Sequence, residues 1–71
     1  MITFEPLQIT LIKKRISKME FIKLTGISSS TAARMWRNEF VNLKIIDDIC
    51  RVLECDLLDV IKYIPDNDNE Q

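Results

Sequence analysis

The sequence predicts an all-α domain of five helices. Three observations carry that prediction: apolar residues recur at helical spacing, start and stop residues divide the chain into five segments, and one Gly and two Pro in 71 residues leave few breaks. Hydrophobic residues make up 46% and charged residues 30%, the balance of a chain that folds around a core. Seventy-one residues suffice for one small domain and no more. Residues 1–65 are expected to form it, with residues 66–71 as a polar, acidic and disordered tail.

Pro6 suits the first position of a helix, where its missing N–H costs nothing, and residues 7–15 carry the first helical pattern. Leu7 and Leu11 share one side and Ile9 and Ile12 another, so the first side reads as core and the second as exposed contact surface. Residues 1–5 have no helix signal and stay unassigned, with an extended course open. Ser17-Lys18-Met19-Glu20 is a capping box, in which the Ser17 hydroxyl accepts from the Glu20 N–H and the Glu20 carboxylate from the Ser17 N–H. A second helix therefore starts there, and it stops at Gly26, suited to the left-handed conformation that closes a helix. Ser28 then caps a third helix over residues 29–37. Helix, short Gly-containing turn, helix is the spacing of a helix-turn-helix.

On the wheel of the third helix Thr31, Ala32, Met35 and, obliquely, Trp36 face one way. Ser30, Ala33, Arg34 and Arg37 face the other, with Ser29 at the margin and no acidic side chain from Lys23 to Asn38. Such a face meets no like-charge repulsion from phosphate, and it equally fits a basic surface helix. The fourth helix starts at Asn42 as N-cap and separates cleanly. Leu43, Ile45, Ile46, Ile49, Cys50, Val52 and Leu53 form its apolar half, which makes it the central buried helix. Asp56 caps a short fifth helix that Pro65 ends. Cys50 reads as a small core side chain and Cys55 as filling the turn after the fourth helix.

Net charge is −1, but its distribution is uneven. Residues 13–37 hold seven Lys and Arg against Glu20 alone, a charge of +6, and residues 38–71 hold three against nine acids, a charge of −6. That separation fits a field focused on a polyanion, or ordinary solvated helix faces. There is no His, and two Cys cannot complete a zinc site, so neither a metal nor another cofactor is expected. Absence of His also removes Ser-His and Cys-His nucleophile pairs, and the adjacent Asp47 and Asp48 diverge on a helix, so no enzyme is expected. Apolar runs of two or three residues exclude a membrane span, and residues 1–6 resemble no secretion signal; the expected location is the cytoplasm.

The run Ile16-Ser17-Lys18 … Thr25-Gly26-Ile27-Ser28-Ser29-Ser30-Thr31 resembles the helix-turn-helix core of lambda-repressor-like (Cro/repressor, Xre-type) DNA-binding domains. The stretch from Ile46 through Leu53, Cys55-Asp56, Asp59-Val60-Ile61 and Tyr63-Ile64-Pro65-Asp66 is similar to the ending of the short, single-domain members of that family. The resemblance implies an all-α, five-helix lambda-repressor-like domain that places its third helix in the major groove of double-stranded DNA. Its implied role is transcription regulation, as a repressor of the Cro or autoregulator kind.

Carried over by position, Ser28, Ser29, Ser30 and Arg34 fall where such domains contact base edges or nearby phosphates, and Lys18 where they hold the backbone. The loop from Phe40 through Val41, Asn42 and Leu43 to Lys44 falls where further phosphate contacts are made, next to helix N–H groups open to an anion. Chemically, Arg34 or Arg37 can pair bidentately with guanine, whereas Ser encodes little. The chain departs from the family in three places. Ala32 and Ile22 exchange the usual large and small residues, Trp36 is uncommon and reads first as core, and the loop at residues 38–42 lacks the frequent Gly. The alternative function is a protein-interaction module on the same fold, an antirepressor or antitoxin, using Trp36, Phe40, Val41 and the acidic half. A homodimer is a candidate assembly, through Ile9, Ile12 or the region of the fifth helix.

Overall fold

The computed structural model describes residues 1–65; the expected acidic tail, residues 66–71, lies outside the described residues. In chain order it has strand β1 (Ile2–Thr3) and helices α1 (Glu5–Lys14), α2 (Lys18–Thr25), α3 (Ser29–Trp36) and α4 (Leu43–Leu53). A single 3-10 turn at Leu57–Asp59 and strand β2 (Lys62–Tyr63) complete it. The two strands pair antiparallel, Ile2 opposite Tyr63 and Thr3 opposite Lys62.

Four helices and a strand pair among the described residues correct the expected five-helix, all-α fold. The segment read as a fifth helix makes one turn after Asp56, whose N–H donates to the Asp59 carboxylate at 3.0 Å, and then extends. Val60, Ile61 and Tyr63 are β-branched or aromatic and lose side-chain freedom in a helix, and Pro65 biases the residue before it toward an extended backbone. The open edge of β1 supplies hydrogen-bond partners that a lone helical turn at this point would lack. The remaining boundaries differ by one or two residues. Glu5 precedes Pro6 in α1, Arg15 is the left-handed residue after it, and Arg37 follows α3 rather than closing it.

The core is one cluster: Phe4, Leu7, Leu11, Phe21, Met35, Ile46, Ile49, Leu53 and Val60. Leu7 and Leu11 of α1 are buried while Ile9 and Ile12 face outward, as the wheel predicts. Helix α4 presents Ile46, Ile49 and Leu53 inward, with Ile45, Cys50 and Val52 half-buried. Leu43 is the exception, 79% exposed at the first turn, where the helix has not yet reached the core. Ala32 is buried and Ile22 half-buried, consistent with a reciprocal exchange of volume between α2 and α3. Burial pushes the thiols of Cys50 and Cys55 above their usual range, which disfavours the reactive thiolate.

All four helices are followed by a left-handed residue, and only one of these is Gly. Gly26 has φ +74°, while Arg15, Asn38 and Glu54 have φ of 58°, 60° and 53°. Around Asn38 the bonds Asn38 N–H to Met35 O and Glu39 N–H to Arg34 O form a Schellman closure, and α1 closes the same way through Arg15 and Ile16. A side chain with a Cβ is disfavoured in this conformation. Glu54→Gly is therefore expected to stabilise the domain by about 0.5–1 kcal/mol. Thermal melts should show a rise of several degrees, on the scale of roughly 4–8 °C per kcal/mol for a domain of this size.

Candidate nucleic-acid interface

Local sequence builds the helix-turn-helix. The Ser17 hydroxyl accepts from the Glu20 N–H at 3.1 Å and the Glu20 carboxylate accepts from the Ser17 N–H at 3.2 Å, so the predicted capping box is formed. Gly26 closes α2 with its N–H on Ile22 O. Ser28 then caps α3 by accepting from the Thr31 N–H at 3.1 Å. Its hydroxyl also donates to Thr31 Oγ1 at 2.9 Å and lies 3.1 Å from Ser30 Oγ, so this side chain is committed to the cap.

Helix α3 is amphipathic in the sense the wheel predicts, with Ala32 and Met35 buried and Ser29, Ser30, Arg34 and Arg37 exposed. Trp36 is half-buried against the core, its ring centroid 5.8 Å from that of Phe21. The outer side of the same ring carries Lys18 Nζ at 4.9 Å from the centroid, a cation–π contact that ties the start of α2 to the end of α3. Trp36 is thus partly the core residue expected, and also the seat of Lys18.

The loop after α3 has no Gly, and Asn38 takes its left-handed position, with a side chain that explains why it serves. Asn tolerates the left-handed region better than most residues. Its Oδ1 accepts from the Phe4 N–H at 2.8 Å and from Thr3 Oγ1 at 3.3 Å, fastening the end of α3 to the start of α1. The buried Thr3 hydroxyl in turn accepts from the Glu5 N–H at 3.2 Å.

The turn at Asn38 folds Glu39 back along α3. Arg37 Nε donates to Glu39 Oε2 at 2.8 Å, and Arg34 Nε lies 3.9 Å from Oε1. Arg34 also donates from a terminal nitrogen to Phe40 O at 2.9 Å. The hydrogen bond from Arg37, aided by both positive charges, holds the Glu39 carboxyl below the ordinary carboxylate range. Asn42 caps α4, its Oδ1 accepting from the Ile45 N–H at 3.0 Å. Lys44 reaches Asp48 one turn on at 3.2 Å, and Arg51 approaches the same carboxylate at 3.2 Å. Those two hydrogen bonds, that of Lys44 first, lower the Asp48 carboxyl as well.

The structure therefore joins the predicted residues in sequence along one path. Lys18 meets Trp36 of α3, Arg34 holds the loop at Phe40, and the loop leads to the Asn42 cap and Lys44. Asn38 and Glu39 are the members that sequence reasoning did not select. An acid just beyond a basic helix was visible, but its return onto the helix depends on the left-handed Asn38. Among the described residues no group of three or more His, Cys, Asp or Glu is placed to hold a metal ion. No helix among them is long and apolar enough to cross a membrane.

A capped helix pair across a glycine turn, with the outer face of its second helix basic and open, defines a helix-turn-helix domain. The model of the Cro/C1-type helix-turn-helix DNA-binding domain matches residues 6–66, and the chain belongs to that family. The fold is also similar to the crystal structure of the transcriptional regulator VanUg, Form II, at a TM-score of 0.86 and 34% sequence identity, over 92% of this chain and 87% of that one. No curated protein is matched significantly.

Proposed function

We propose that this protein is a sequence-specific, double-stranded-DNA-binding transcriptional regulator, a repressor of the Cro or autoregulator kind that inserts α3 in the major groove. One observation carries the proposal: Ser29, Ser30, Arg34 and Arg37 are exposed on the outer face of α3 while Ala32 and Met35 anchor its inner face. Arg34 and Arg37 supply forks for guanine, Ser29 and Ser30 supply small polar contacts at the N-terminal turn, and Lys18 and Lys44 supply phosphate contacts. Asn42 holds the first N–H groups of α4 in place beside them. The cations already have intramolecular partners, but these exposed pairs are worth only about 0–1 kcal/mol, weak enough to open on a matched duplex. The protein acts without a cofactor, without catalysis and in the cytoplasm on this reading.

Fluorescence anisotropy against the DNA upstream of its own gene and against a scrambled duplex tests the proposal. Binding to the upstream DNA should be at least about 1000-fold tighter and should fall steeply with salt. Absence of binding to either duplex at low salt overturns it. A second reading, an antirepressor or antitoxin that binds protein, draws on Phe40 and Leu43, which are 78% and 79% exposed and line an apolar hollow with Ile2, Phe4, Val41 and Ile46. Full activity of a variant lacking Arg34 and Arg37 would favour it.

A further inference from the structure

Glu39 occupies an unexpected position for a domain that binds a polyanion. Its carboxylate bridges the two arginines on the outer face of α3, at 2.8 Å from Arg37 Nε and 3.9 Å from Arg34 Nε. Its location follows from backbone geometry. Asn38 at φ 60° reverses the chain, and the Glu39 N–H is bonded to Arg34 O at 2.9 Å. The carboxylate is thus delivered to the arginines by the helix closure, and removing its charge leaves that closure intact.

We propose that Glu39 is a specificity-determining residue, a counter-charge that withholds Arg34 and Arg37 from non-cognate phosphates. This assignment rests on the DNA-binding reading above. Non-specific binding consists almost entirely of phosphate contacts and counterion release. A guanidinium already neutralised by a carboxylate releases fewer counterions, and the carboxylate itself repels any phosphate that approaches. A bidentate guanine contact, in contrast, rewards the same arginine with two directed hydrogen bonds in a groove position away from phosphate. An exposed ion pair is weak enough to open for that exchange. Glu39 therefore penalises the wrong duplex more than the right one, which is how a repulsive element generates discrimination.

Four proteins decide the matter: wild type, Glu39→Gln, Glu39→Ala and Asp47→Asn. Asp47 is an exposed acid on α4, outside the turn that carries Glu39, and its substitution changes net charge equally. Each is titrated with salt against a duplex selected from a random pool by the wild type and against its scramble. Glu39→Gln should bind the scramble about five- to tenfold tighter near 0.1 M salt, with a slope steeper by about one counterion. The selected duplex should gain no more than about twofold, so discrimination falls, and Asp47→Asn should leave the ratio of the two affinities unchanged. Glu39→Ala, which removes the acceptor as well as the charge, should lose discrimination at least as far. Equal gains on both duplexes, or the same effect from Asp47→Asn, overturn the role given to Glu39 while leaving a discriminating wild type intact. A wild type that binds neither duplex overturns the DNA-binding reading and this assignment together.

Discussion

Phe21→Ala is expected to cost about 3–5 kcal/mol, the range for emptying a large aromatic from a packed core. Phe21 has no exposed surface, belongs to the one core cluster and packs its ring against Trp36. A domain of this length has roughly 4–11 kcal/mol of stability in total, so the loss takes a large share of it. Urea titration followed by circular dichroism should show a much lower midpoint. Met19→Ala, two residues earlier on α2 but 71% exposed, should stay within about 0.5 kcal/mol of wild type. Similar midpoints for the two variants would mean that α2 does not pack on the core through Phe21.

Arg34→Ala is expected to weaken binding to the preferred duplex by about 1–3 kcal/mol and to relax specificity at the base pair it reads. The same substitution removes the hydrogen bond that Arg34 donates to Phe40 O, so part of the loss is the looser loop that leads to Asn42. Arg34→Lys separates the two effects, because Lys keeps the charge without the planar fork. It should retain affinity for scrambled DNA and lose preference for the selected sequence. Lys18→Ala should behave differently, weakening all duplexes alike and lowering the salt slope by about one. Binding by Arg34→Ala equal to wild type on every duplex would remove Arg34 from base reading.

What was readable in the sequence is what forms within one helical turn. The capping box at Ser17 and Glu20, the caps at Ser28 and Asn42 and the stop at Gly26 are all contacts between residues three or four apart. The inner faces of α1, α3 and most of α4 followed from periodicity for the same reason. Leu43 departed from the pattern because periodicity says which side of a helix is apolar, not where along its length the core begins. The other left-handed closures went unread because Arg15 and Glu54 carry no conformational signature and Asn38 a weaker one than Gly26.

The sequence by itself determined the helix-turn-helix, its two caps, the buried face of α3 and the basic character of the opposite face. Only the tertiary structure decided that the chain ends by pairing Lys62–Tyr63 with Ile2–Thr3 instead of adding a helix. It also decided that Asn38 clasps the start of α1, that Lys18 rests on Trp36, and that Glu39 holds the two arginines. Hydrogen bonds within a turn are closed by the residues that specify them. Strand pairs and side-chain clasps join groups far apart in the chain, and they form only once the core has brought those groups together.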